Sequence, residues 1–384
     1  MKTVKWEVSP DIWTWILDAT DLSDELAAQA KPWIDHDKTP TLKQLEKFGK
    51  KIHVPFAYFL LKRPPREDYS LLEYRTVNSV EIQKMSRNLF DVSCNMTDIQ
   101  EWMRGYHFDN EDGEKLFVGS IDQDFPICEA AVIVRGHLKI EKTWFKSDRC
   151  FDKIQAFKYL RDCMSEIGVV VMTSGIVGNN ARRALNVEEF RAFALVDKYA
   201  PLIFINGKDS IEGKIFSILH EFVHIVVGAN NLHNVEHDVA KFYNPIEIFC
   251  NGVAAEILVP VDIFKEKWNE NKNELSVKIS QLSAYFKCSQ TVIARRAFDC
   301  HFINSEIYKK LISEAKKLVA ILKDKRGGDY YKTAAARIDK YFLLALYNSV
   351  KEGKTFLRDA CLLSNTNRTS FFELVRTVHG GLDD

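Results

Sequence analysis

Apolar positions recur every three to four residues over most of this chain and alternate or run continuously only in a few short stretches. The pattern predicts a mostly helical α+β protein with one small sheet. After the turn at Ser9-Pro10, residues 11–31 carry helical spacing, and Pro32 is expected to stop it, because proline disfavours helix at the residue before it. Thr39-Pro40 then opens a second helix, TLKQLEKFGKKI, with Leu42, Leu45, Phe48 and Ile52 on one side and Lys43, Lys47, Lys50 and Lys51 on the other. The charged, proline-rich LKRPPRED marks a boundary. Residues 68–150 mix helical patterns with AAVIVRG, which reads as a strand. From Phe151 the order becomes helix (DKIQAFKYLRDCMSEIG), strands (VVVMTS, FRAFALVD, PLIFIN), then a long apolar helix. Beyond Pro260 helical spacing returns in ISQLSAYFKCSQTVIARRAF, EIYKKLISEAKKLVAIL and ARIDKYFLLALYNSV. Four parts follow: a helical module over 1–65, a connecting subdomain over 66–150, an α+β domain over 151–265 and a helical domain over 266–384.

Composition narrows the function. Lys+Arg and Asp+Glu both number 53, so no global field draws the chain to nucleic acid or to an anionic membrane. The eight cysteines form no C-x-x-C pair and read as reduced thiols. No apolar run approaches the roughly 18 residues of a membrane span, and MKTVKWEVSPDIWTW lacks the apolar core of a signal peptide. A cytoplasmic protein is expected.

The chemistry concentrates in ILHEFVHIVVG, residues 218–228. His220 and His224 are four apart and project from one face of a helix, so two imidazoles can reach one ion. H-E-x-x-H suits zinc, and Glu221 between them is placed to take a proton from a metal-bound water. Two histidines and a glutamate within an apolar helix need partners, and a metal answers that need. HNVEH at 233–237 fits the inverted H-x-x-E-H pattern, but it has almost no apolar stripe and reads as loop histidines. A catalytic zinc keeps three protein ligands and one open position. The third is expected from the helix PIEIFCNGVAAEILVP, where Glu247 in the first turn is favoured over Glu256. Gly252, Ala254 and Ala255 would let this helix pack closely on the first. FRAFAL or PLIFIN would align an extended substrate by strand addition.

FSILHEFVH followed by EIFCNGVAAEILVP resembles the ImmA/IrrE family of zinc metallopeptidases, as does FRAFALVD…PLIFIN, over roughly residues 150–262. The resemblance implies a zincin-like domain with His220, His224 and Glu247 as zinc ligands and Glu221 as general base. It also implies a protein substrate, such as a DNA-binding transcriptional repressor, and an activity that is latent or regulated. PTLKQLEKFGKKIHVPFAYFLL is similar to the tail of the Xre-type helix-turn-helix fused to many members. Residues 1–65 carry ten Lys/Arg against nine Asp/Glu, a balance of +1, so this module is expected to recognise a protein partner rather than a specific DNA sequence. The contrasting expectation is a non-catalytic regulator or toxin-antitoxin component that uses the same fold for binding.

Overall fold

The computed structural model describes residues 4–20, 22–65, 73–74, 85–228, 245–321 and 336–379. The chain divides into two compact units, one of residues 1–71 with 82–93, the other of residues 72–81 with 94–384.

The first unit contains α1 (Pro10–Ala19), α2 (Asp24–Ile34), α3 (Leu42–Ile52) and a short 3-10 turn, Phe56–Leu60. Its core is aromatic: Trp13, Trp33, Phe48 and Phe59 meet edge-on or tilted at 5.4–6.3 Å between ring centres. The expected apolar side of α3 is buried at Leu45, Phe48 and Ile52. A capping box starts that helix, Thr41 accepting from the Gln44 backbone and Gln44 accepting from the Thr41 N–H. Pro32 does not stop α2. It lies in the last turn, where the loss of one internal hydrogen bond is set against the burial of Ala30 and Trp33.

The second unit holds β1 (Glu73–Tyr74), most of α4 (Arg87–Asp109), α5 (Ile127–Leu138), α6 (Lys153–Glu166) and β2 (Val170–Ser174). A small β3–β4 hairpin (Ile176–Val177, Asn180–Ala184) leads to β5 (Ala192–Leu195), β6 (Leu202–Asn206) and α7 (Ile211–Val227). The helices α8 (Pro245–Leu258), α9 (Val261–Glu270), α10 (Leu275–Tyr285), α11 (Gln290–Asp299) and α12 (Ser305–Ile321) follow. Last come α13 (Lys340–Lys351), α14 (Leu357–Leu363) and α15 (Arg368–His379). The main sheet has the order β1-β5-β6-β2, with β2 parallel to β6 and β5 antiparallel to it.

Two further sequence expectations need correction. AAVIVRG is not a strand but the middle of α5, burying Ala130, Ala131, Val134, Arg135 and Leu138 at helical spacing. A short apolar run is read equally well by either period, and burial of the helix decided this one. Strand addition also meets an obstacle: β6 is interior, and β5 lies between β6 and β1, which pairs Glu73 with Ala194 and Tyr74 with Phe193.

The helix α7 lies against β5 and β6 and packs on α6 and α8. Its end is fixed unusually firmly. Gly228 takes the left-handed C-cap position (φ 71°) and its N–H reaches the His224 and Ile225 carbonyls. Gly119 and Ile121 then donate to the Ile225 and Val226 carbonyls, both at 3.2 Å. A side chain at 228 would meet the Gly119 backbone at 2.7 Å as well as the positive φ. Gly228→Ala is therefore expected to cost about 1–2 kcal/mol in urea unfolding; an unchanged midpoint would show that this end is not held as described.

Candidate metal centre

Ser210 caps the start of α7 by accepting from the Gly213 N–H at 3.0 Å, and Asp209 beside it holds Arg191 at 3.1 Å. From Ile215 to Val226 nearly every residue of this helix is buried, which is why its sequence is apolar all round. His220, Glu221 and His224 are the exceptions in chemistry but not in burial, at 0%, 2% and 4% exposure.

The two imidazoles face each other, Nε2 to Nε2, at 3.1 Å. Glu247, in the first turn of α8, reaches both: Oε2 lies 3.3 Å from His220 and Oε1 3.1 Å from His224. The ligand atoms of the three residues all fall within 4.8 Å of one another. Donors bound about 2.0–2.1 Å from a tetrahedral zinc would sit about 3.3 Å apart, so this set is spaced as such an ion requires. The donor chemistry, two imidazoles and one carboxylate, fits as well.

The groups of the cluster also shift one another's protonation. Burial pushes the Glu247 carboxyl up, but contacts with His220 and His224 outweigh it and hold the group well below the usual carboxylate range. Burial pushes His224 down, yet its contacts with the Cys250 thiol and Glu247 carry it well above the ordinary imidazole value.

The competing glutamate is engaged elsewhere. Glu256 is buried, accepts from the Val261 N–H at 3.2 Å and pairs with Arg296 at 3.2 Å. Gly252 faces not α7 but α5, where a side chain would strike Ile127 at 2.7 Å. The HNVEH segment, with His233, Glu236 and His237, lies outside the described residues.

Residues 162–298 match the Peptidase_M78 family model, described as the IrrE N-terminal-like domain. Searches of curated proteins and of solved structures gave no match. The Peptidase_M78 match covers just over a third of the chain and takes in α7, α8 and every residue of the cluster. It supports the ImmA/IrrE resemblance and a metallopeptidase-like activity at the level of the family, and the arrangement of sheet and α7 is compatible with a zincin-like domain.

Sequence reasoning missed the surroundings of the cluster. Phe216, one turn before His220, stacks on its ring at 6.2 Å between centres and an interplanar angle of 26°. Beside it a cleft of about 780 Å³ runs between the first half of α7, α8, α11 and α12. Helical periodicity marks Ile248 and Ile127 only as apolar, and nothing in the sequence says that they stand exposed, at 53% and 39%. No described helix is long and apolar enough to cross a membrane.

Proposed function

We propose that this protein is a zinc-dependent metalloendopeptidase acting on a regulatory protein, of which a DNA-binding transcriptional repressor is the leading candidate. The observation that carries the reading is the convergence of His220, His224 and Glu247, from two helices, on one point beside a cleft. The Peptidase_M78 match over the same residues supports it.

His220, His224 and Glu247 would hold the ion, leaving a position open. A zinc ion there supplies a Lewis acid for the scissile carbonyl and brings the pKa of a bound water to about 7. Glu221, next to His220 and buried, is the general base: it accepts the proton of the attacking water and returns it to the leaving amine. Phe216 restricts the motion of the His220 ring by stacking on it.

The proposed organisation keeps the peptidase domain at residues 151–265 between flanking modules. The helical module over 1–65, similar to the tail of a helix-turn-helix, is assigned to recognition of the protein partner, with the C-terminal helices over 266–384 closing one side of the cleft through α11 and α12.

The test is metal content by elemental analysis, with circular dichroism as a folding check. Wild type is expected to hold about one zinc per chain, lost in folded His220→Ala and Glu247→Ala, while Glu256→Gln keeps it. Wild type that takes up no zinc after reconstitution would end the peptidase proposal.

A further inference from the structure

Exposed bulky apolar side chains are costly to display unless something covers them, and two stand together here. Ile127 and Ile248 rim the cleft, with Phe216 and Val292 also lining it. Phe216 both lines this cleft and stacks on the His220 ring, which places the apolar stretch next to the metal cluster. Further along, the lining changes character. Arg191, Arg295 and Arg296 face the same cleft.

Each arginine is held in place by a carboxylate. Arg191 donates Nη1 to Asp209, Arg295 donates Nε to Asp299 at 2.9 and 3.1 Å, and Arg296 lies 3.2 Å from the buried Glu256. A guanidinium carries five N–H donors, so a partner that takes one of them orients the fork and leaves others for a second acceptor. Of the two acidic side chains that line the cleft, Asp299 is the one that holds Arg295, and Glu212 pairs with Lys153 at 2.9 Å. The charged donors that line the cleft are therefore guanidinium groups with N–H groups to spare, and they match a carboxylate.

Resting on the peptidase reading above, we infer that the cleft is a substrate subsite for an extended polypeptide with a bulky apolar residue near the scissile bond and a carboxylate further along.

Binding is read with zinc-loaded Glu221→Gln, so that bound peptide is not consumed. The probes are short fluorescein-labelled peptides with a central leucine and a single glutamate walked outward from it on either side, each paired with a glutamine twin. Fluorescence anisotropy is expected to give at least one glutamate peptide bound about tenfold or more tighter than its twin. Adding Arg295→Gln, at an exposed position, should erase that ratio, and Ile248→Ala should weaken all the peptides alike. Equal binding of the twins, or a ratio unmoved by Arg295→Gln together with Arg191→Gln, overturns the inference. Wild-type cleavage separates the two readings: peptides bound with this preference but never cut sink the peptidase and keep the subsite, whereas peptides cut with no acid preference do the reverse.

Discussion

Glu221→Gln is expected to keep its zinc and its fold while peptide cleavage falls by about 10²–10⁴-fold. Glutamine has nearly the shape of glutamate, so the packing around a side chain that is 2% exposed should survive. It accepts no proton at neutral pH, and general-base catalysis is lost with it. The metal should stay, since His220, His224 and Glu247 are untouched. The measurement is the rate of product formation by chromatography at equal zinc occupancy. A variant that cuts as fast as wild type would remove Glu221 from the chemistry. A biological effect that survives a true loss of cleavage would instead move the protein to the regulator class, where the fold binds and does not cut.

The largest effect on stability is expected at Asp339, the N-cap of α13, which is fully buried. Its carboxyl accepts from Ser165 Oγ at 2.6 Å, from the Val171 N–H at 3.2 Å and from the Phe342 N–H at 3.1 Å. Burial pushes this carboxyl up in pKa, against the pull of Arg161 and Ser165. Arg161 donates in turn to the carbonyls of Val171, Ala336 and Ile338. Asp339→Ala would strand the Arg161 charge and leave buried donors without acceptors, so a loss of about 3–5 kcal/mol is expected in urea unfolding. Asp339→Asn, which keeps an oxygen for the cap, should cost less. If alanine and asparagine are equally mild, the network is not what joins α13 to α6 and β2.

How much of this could be read from the sequence depends on the range of the interaction. The juxtaposition of the candidate metal ligands His220 and His224 on α7 was legible because a four-residue spacing is local physics. The strands of β2, β5 and β6 were legible as short β-rich runs. AAVIVRG was misread because its burial comes from α8, more than a hundred residues away, and no local period carries that. Glu247 and Glu256 sit on the same helix, and the sequence favours Glu247 by its place in the first turn without showing what engages Glu256. Their separation comes from Arg296, whose approach to Glu256 is a tertiary event. The cleft was illegible for the same reason: it is made by four helices, and exposure at Ile248 is a property of the gap between them.

The hydrogen bonds at Val171 have a further meaning for the outer rim of the sheet. β2 is the last strand on its side, and the N–H and C=O of Val171 are the groups a newcomer would pair with. Asp339 and Arg161 occupy both with side chains, a plug in place of a fifth strand. On the opposite rim, β1 covers β5. The β2 margin of the sheet is thus shielded against docking of another chain, which protects that edge from aggregation.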